Sequence, residues 1–205
     1  MESTISQLRD VVAETAFVSP ERKTRKGLSC ILLQETKIKD SQLLLINVPE
    51  DIVVLKGDSF MPLLLETTEK DGRHYRGTSF FRDETGASKR ADFILLDVTG
   101  KKVVFLELKS SKDSEDKIKA QLVGAHAVLD YVRRVVAHHH GLRLDEFIGK
   151  GFSLRFAGIC KIGYAIRKRT TKFQISGRGD SAQNFLRISG ISEIHYHMLC
   201  GRSAS

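Results

Sequence analysis

Apolar residues follow two different spacings along the chain, which predicts an α/β protein without internal repeats. A helix is predicted at 3–17, where apolar residues recur every three or four positions, and the charged stretch SPERKTRKG at 19–27 is predicted to be a loop. The segment 57–89 stays unassigned, because Pro62 interrupts its apolar run. A short helix is predicted near 144–148, and strands are predicted at 28–34, 41–48, 51–56, 90–98, 103–110, 153–166, 171–176 and 193–199.

A longer helix is predicted at 114–139 from a sustained apolar stripe. Asp113 or Ser114 would cap its start, and Gly141 lies just beyond its end. The stripe must pack on the sheet, and Gln121 lies beside it, at the border of the contact between helix and sheet. The residues of the stripe are Ile118, Leu122, Ala125, Leu129, Val132 and Val136.

Three charged residues interrupt the apolar hairpin predicted before this helix, in the sequence RADFILLDVTGKKVVFLELKSS at 90–111. Asp92 lies in the first strand, and Glu107 and Lys109 lie in the second. The runs FILL and VVFL are apolar on both faces, which is typical of strands in the buried centre of a sheet. A charge is costly at such a position unless it is paired or has a purpose.

The length of the turn decides how these charges face one another. With a two-residue loop at 99–100, paired positions sum to 199 and Asp92 lies opposite Glu107. With a four-residue loop at 99–102 the sum is 201, and Asp92 faces Lys109 instead. In both registers the three side chains share one face, because side chains alternate with period two. A three-residue loop would put Asp92 on the opposite face.

Two carboxylates on one face of a sheet repel each other, so a positive group must compensate them. Lys109 can supply part of that charge. A divalent cation supplies more, because carboxylate oxygens are hard ligands of the kind that Mg²⁺ prefers. The alternative is an ordinary salt-bridged patch where the strands emerge into solvent.

Chain length and cysteine content narrow the class of protein. With 205 residues, 41% of them hydrophobic, we expect a single domain with one core. Cys30, Cys160 and Cys200 suggest neither a disulfide framework nor a zinc cluster, which favours a reducing cytoplasm. No run approaches the length of a membrane span and the N-terminus lacks the features of a signal peptide, so a soluble protein that does not bind membranes is expected.

The net charge of +8 is concentrated in the last third of the chain. Residues 1–140 carry 22 basic and 21 acidic side chains, whereas residues 141–205 carry 11 and 4. Such a surplus suits a surface that binds a polyanion, since each neutralised phosphate releases counterions. A solubilising surface is the alternative.

The segment 90–140 resembles the catalytic core of the PD-(D/E)XK nuclease superfamily. In that superfamily an Asp and an E-x-K on adjacent strands form a metal site, and here ADFILLDVTGKKVVFLELKSS precedes a helix with Gln121. Ala91 stands where the name-giving Pro would be. The resemblance implies a restriction-endonuclease-like core, a central mixed β-sheet flanked by helices. The whole chain, 1–205, would then be one nuclease-like domain with a basic C-terminal region at 141–205.

The resemblance also implies roles for individual residues. Asp92 and Glu107 would bind Mg²⁺, for which Mn²⁺ could substitute, and the backbone carbonyl of Leu108 would supply a further ligand. Lys109 would position or activate the attacking water, and Gln121 would be a supporting polar residue on the following helix.

In that superfamily the core usually begins with a helix that sometimes bears another acidic ligand, and two residues of this chain could supply it. Glu14 lies on the first predicted helix and Glu66 follows Pro62. The sequence does not choose between them. Asp97 has the wrong parity to share a face with Glu107 in the favoured registers.

The activity implied by the resemblance is Mg²⁺-dependent hydrolysis of phosphodiester bonds, with duplex DNA as the expected substrate and microbial restriction or antiviral defence as the setting. Cleavage of both strands would need two active sites, which a homodimer would provide. Any switch would be assembly or an activating partner subunit. The alternative is a nucleic-acid-binding or assembly module of the same fold without cleavage. The predicted phosphate contacts are Arg167, Lys168, Arg169, Lys172 and Arg178.

Two groups of histidines fit ordinary structure better than a metal site. His138, His139 and His140 are consecutive on a helix and point about 100° apart, which predicts a solvated helix end. His195 and His197 would share one face of an edge strand with polar alternation.

Overall fold

The computed structural model describes residues 3–19, 21–25, 27–34, 42–57, 69–70, 73–74, 90–109, 114–160 and 174–201. Within these ranges the chain forms a mixed α/β fold, as its apolar pattern predicts. The helices are α1 (Thr4–Val11), α2 (Glu115–His139) and α3 (Tyr196–Cys200), with a 3-10 turn at Glu14–Ala16. The strands are β1 (Phe17–Val18), β2 (Glu21–Arg25), β3 (Leu28–Gln34), β4 (Gln42–Ile46), β5 (Val53–Lys56), β6 (Glu69–Lys70), β7 (Arg73–His74), β8 (Phe93–Asp97), β9 (Lys102–Lys109), β10 (Ser153–Cys160), β11 (Gln174–Ser176), β12 (Leu186–Ser189) and β13 (Glu193–His195).

The larger sheet has seven strands in the order β1-β5-β8-β9-β10-β12-β11, with β9 in the middle. Strand β9 pairs antiparallel with β8 and parallel with β10, and β10 pairs parallel with β12. A four-stranded sheet has the order β13-β4-β3-β2, and β6 and β7 form a separate short hairpin. Every residue of β8 is buried, and β9 is buried except at its two ends, because both faces of the larger sheet are covered.

The two faces of the larger sheet pack against different partners. On the helix face, Ile94, Leu96 and Phe105 pack with apolar residues of α1 and α2. On the opposite face, which we call the sheet face, Leu95 and Leu106 join a core with β3, β4, β13 and α3. Alternate residues of β8 and β9 therefore belong to two separate apolar clusters.

Helix α2 begins and ends as its apolar pattern predicts. Ser114 is the N-cap, and its side chain accepts a hydrogen bond from the N–H of Lys117 at 3.4 Å. Gly141 follows the helix with φ of +63°, a conformation that favours glycine. The stripe from Ile118 to Val136 is buried on the helix face.

The N-terminal assignments were wrong in two places. Helix α1 ends at Val11, and the chain then forms the 3-10 turn and β1 instead of continuing as helix to residue 17. The charged stretch predicted to be a loop forms β2, which pairs antiparallel with β3 at the edge of the four-stranded sheet. An edge strand needs no apolar face, and its charges discourage pairing with other chains. The predicted strand at 28–34 is β3 as expected.

The C-terminal assignments also needed correction. Residues 144–150 form turns rather than a short helix. The strand predicted at 193–199 ends at His195, and Tyr196 begins α3. Strand β12 was not predicted, because it is only four residues long, LRIS, and its apolar and polar residues alternate over that short length alone. Parts of three predicted strands lie outside the described residues: position 41 of the strand at 41–48, positions 161–166 of the strand at 153–166, and positions 171–173 of the strand at 171–176. Most of the segment 57–89 also lies outside them.

The β8–β9 hairpin adopts the register of a two-residue loop. Phe93 pairs with Leu106 and Asp97 with Lys102, so paired positions sum to 199. The N–H of Lys101 donates to the carbonyl of Val98 at 3.3 Å across the turn. Of the registers open to the sequence, this is the one that brings Asp92 opposite Glu107.

Candidate active site

Three charged side chains lie at the end of the hairpin that is farthest from its turn. Asp92 immediately precedes β8, Glu107 lies near the end of β9, and Lys109 is its last residue. By parity, Asp92 projects to the same face as Ile94, and Glu107 and Lys109 project to the same face as Phe105. All three side chains therefore lie on the helix face, as the sequence predicts.

Asp92 and Glu107 are joined by two hydrogen bonds that cross the hairpin. The backbone N–H of Asp92 donates to Oε2 of Glu107 at 3.1 Å. In return, the backbone N–H of Leu108 donates to Oδ2 of Asp92 at 2.7 Å. Each carboxylate thus accepts from the backbone of the neighbouring strand, which fixes the position of both.

The electrostatics of the pair centre on Glu107, which is fully buried. Burial, followed by the nearby charge of Asp92, raises the pKa of Glu107 from 4.5 to about 8. Lys109 opposes this shift through an ion pair between its Nζ and Oε1 of Glu107. The ion pair with Lys109 therefore offsets only part of the cost of burying Glu107 beside Asp92.

Gln121 lies next to the site without contacting its carboxylates in the described structure. Its Nε2 donates to the backbone carbonyl of Arg90 at 3.4 Å, which ties α2 to the segment leading into β8. On the other side of that segment, the N–H of Gly57 donates to the carbonyl of Asp92 at 3.0 Å. These two bonds hold the backbone on either side of Ala91, so they position the Asp92 side chain.

A glycine lies directly across from Glu107 on the next strand. Gly158 of β10 is in register with Glu107, so a side chain there would project to the helix face. A Cβ at this position would come within 2.9 Å of both Ile118 and Phe185. The absence of a side chain lets α2 pack closely beside the buried carboxylate.

The residues present fit a hard divalent cation. Two carboxylates converge, and burial, followed by the charge of Asp92, raises the pKa of Glu107. Mg²⁺ is commonly bound by one or two carboxylates, with waters and substrate phosphates completing its shell. Within the described ranges no cluster of three or more His, Cys, Asp or Glu side chains could hold a metal ion. The carbonyl of Leu108 as a further ligand stays a prediction.

Of the two candidates for a third acidic ligand, the structure describes Glu14, which pairs with Arg9. Glu14 lies on the 3-10 turn, not on α1, and both of its carboxylate oxygens accept hydrogen bonds from Arg9, at 2.6 and 2.7 Å. Glu66 lies outside the described residues.

Most of the predicted phosphate contacts also lie outside the described residues. Arg178 is exposed, and its carbonyl accepts a hydrogen bond from Arg155 at 2.5 Å. The other predicted contacts, which lie outside the described residues, are Arg167, Lys168, Arg169 and Lys172.

Asp97 points away from the site, as its parity predicts. It is buried on the sheet face, where it accepts hydrogen bonds from the N–H of Gly100 at 2.6 Å and the hydroxyl of Tyr196 at 3.4 Å. His138 and His139 are exposed at the end of α2. His195 ends β13 and His197 lies in α3, so the two do not share an edge strand.

Sequence reasoning missed a cation near this site. Arg187 lies on β12, forms an ion pair with Glu115 in the first turn of α2, and is in register with Gly158. Arg187 comes close to the site only because β12 pairs with β10, and β12 was not predicted from the sequence. The alternation of apolar and polar residues in LRIS at 186–189 is the signal that could have revealed the strand.

Comparisons of the chain with models of protein families, with curated proteins and with solved structures found no match. No described helix is both long and apolar enough to span a membrane.

Proposed function

We propose that this protein is a Mg²⁺-dependent nuclease with the restriction-endonuclease-like core of the PD-(D/E)XK superfamily. The observation that supports the proposal is the pair of Asp92 and Glu107 on the helix face, with Lys109 in an ion pair with Glu107. A sheet centre has no packing reason to retain these charges, since apolar side chains would fill the same space at lower cost.

The proposed chemistry assigns a separate role to each residue. Asp92 and Glu107 would hold Mg²⁺ through their carboxylate oxygens. When bound, the ion would lower the pKa of a coordinated water and neutralise charge on the phosphoryl oxygens. Lys109, which is partly exposed, would hold or orient the attacking water and bring a positive charge close to the phosphate. Gln121 would keep α2 and the start of β8 in place.

Duplex DNA is the proposed substrate, in a microbial restriction or antiviral defence setting. The basic surplus after residue 140 supports this proposal, because phosphate contacts position a duplex without reading its sequence. The three cysteines are buried and no disulfide joins them, which fits a reducing cytoplasm. Cleavage of both strands would use a homodimer or an activating partner subunit.

The proposal is tested by incubating the purified chain with supercoiled plasmid, linear duplex and single strands. Each substrate is tested with Mg²⁺, with Mn²⁺ and with EDTA. We expect cleavage that needs the metal and that is lost in both Glu107→Ala and Lys109→Ala, with folding of each variant checked by circular dichroism.

A nucleic-acid-binding or assembly module would give a different result. Wild type and both variants would bind the substrates with equal salt sensitivity, and none of them would cut any substrate. That outcome would overturn the nuclease proposal and assign the hairpin charges a structural role.

A further inference from the structure

Arg187 lies in line with the candidate active site, two strands away from Glu107. Register pairs Glu107 with Gly158 and Gly158 with Arg187, so all three positions project to the helix face. Neighbouring strands are about 4.8 Å apart, which puts the Cα atoms of Glu107 and Arg187 about 10 Å apart. An extended arginine side chain can cover much of that distance.

The surroundings of Arg187 become more polar and more exposed toward the sheet edge. Ser176 of β11 pairs with Arg187, and Gln174 of the same strand pairs with Ser189. Ser176 and Gln174 are both exposed, whereas Arg187 and Ser189 are partly buried. Polar side chains therefore line the helix face on β11 and β12, and Gly158, over which Ile118 and Phe185 pack, lies between Arg187 and Glu107.

The ion pair that holds Arg187 is one that a stronger anion can replace. Glu115 is about half exposed, and the side chain of Arg187 is 25% exposed. An exposed pair of this kind contributes little to stability. Glu115 also lies 3.9 Å from Lys119, so its carboxylate keeps a cationic neighbour when Arg187 moves away. A phosphate offers the guanidinium two charge-assisted hydrogen bonds in return.

We infer that Arg187 binds a phosphate and thereby positions the substrate. Glu115 holds the guanidinium in place until a phosphate of the nucleic-acid backbone replaces it as the partner. The inference rests on the proposed function, because it takes the candidate active site as the place where the backbone lies. Arg187 would bind a phosphate beside the one that is cleaved. Glu115 competes with that phosphate, so its charge weakens binding.

The experiment measures binding of labelled duplex and single strands in EDTA, so that no cleavage is needed. Fluorescence anisotropy is recorded for the full chain over a series of salt concentrations. We expect Arg187→Ala to weaken binding several-fold and to reduce the slope of log K against log salt by about one. Glu115→Gln should strengthen binding at low salt, and Arg187→Lys should retain most of the slope.

The opposite signs of the two effects separate a binding role from a structural one. An ion pair that only fixes α2 to the sheet would give equal losses of thermal stability in Arg187→Ala and Glu115→Gln, with the affinity and the salt slope unchanged. That result would overturn the inference, as would an absence of salt-sensitive binding in the wild type.

The outcome for Arg187 is also distinguishable from the outcome for the nuclease proposal. A chain that binds through Arg187 but never cleaves would support the binding role and reject the nuclease. A chain that cleaves with unchanged affinity in Arg187→Ala would reject the binding role alone.

Discussion

At the residue scale, the energetics of the candidate site centre on one carboxyl group. Glu107 is fully buried in the middle strand of the larger sheet, and its pKa is raised to about 8 by burial and by Asp92. The ion pair with Lys109 offsets part of that cost. A bound cation would offset this cost, because a nearby positive charge favours the ionised form of both carboxyl groups.

The raised pKa predicts how the stability of the metal-free protein depends on pH. Below pH 4.5 Glu107 is protonated in both the folded and the unfolded chain, so it has no effect on stability. Between pH 4.5 and about 8 the folded chain keeps a proton that the unfolded chain loses, so ionisation favours unfolding and stability falls as the pH rises. Above that range the loss is complete.

Urea unfolding in EDTA at several pH values tests this prediction with Glu107→Gln, which cannot ionise. The free energy of unfolding of the variant should rise relative to that of wild type as the pH increases from 4.5 to 8. If the free energies of unfolding of the two proteins differed by the same amount at every pH in this range, Glu107 would not titrate as its burial implies.

At the element scale, sequence and structure agree where the apolar pattern is long and differ where tertiary contacts decide. The apolar stripe and the N-cap residue predicted helix α2. The alternation of side chains along a strand predicted that Asp92, Glu107 and Lys109 share one face of the sheet. Strand β2 could not be predicted from its charged sequence, because it forms only by pairing at the edge of a sheet. The position of Arg187 depends on how β12 pairs with β10, which no local pattern shows.

The N-cap of α2 gives a prediction at this scale. Ser114→Ala should lower the free energy of unfolding by about 1 kcal/mol, because the N–H of Lys117 loses its acceptor. Ser114→Asp supplies another acceptor and should stay close to wild type. Urea denaturation of the three proteins measures the difference. Equal losses in both variants would show that the hydroxyl contributes through some contact other than the cap.

At the scale of the whole molecule, the larger sheet carries the candidate site at its centre and polar residues on β12 and on the edge strand β11. Helices cover one face and the smaller sheet covers the other, so β8 and all of β9 except its two ends are buried, where charged side chains are costly. The register across β9, β10, β12 and β11 then aligns Glu107 with Arg187 and Ser176. The fold thereby places Arg187 and the exposed Ser176 on the same face as the candidate site.

Metal binding should therefore stabilise the whole fold. At a free Mg²⁺ concentration about 100 times Kd, the stabilisation would be about 2.7 kcal/mol. For a chain of this length that corresponds to a rise in Tm of roughly 5 to 10 °C. Glu107→Gln should lose the shift in a thermal melt, and Asp97→Asn, altered on the opposite face, should keep it. A shift of equal size in all three proteins would locate the metal elsewhere.

The most direct test of the nuclease account compares two aspartates that flank the same strand. Asp92 precedes β8 and projects to the helix face, whereas Asp97 ends β8 and projects to the sheet face. Cleavage of plasmid DNA with Mg²⁺ is measured for Asp92→Asn and Asp97→Asn beside wild type, after circular dichroism confirms that both variants fold. We expect Asp92→Asn to lower the rate at least about 100-fold, because a metal ligand is lost, and Asp97→Asn to stay within a few-fold of wild type. Equal rates in the two variants would contradict the nuclease account.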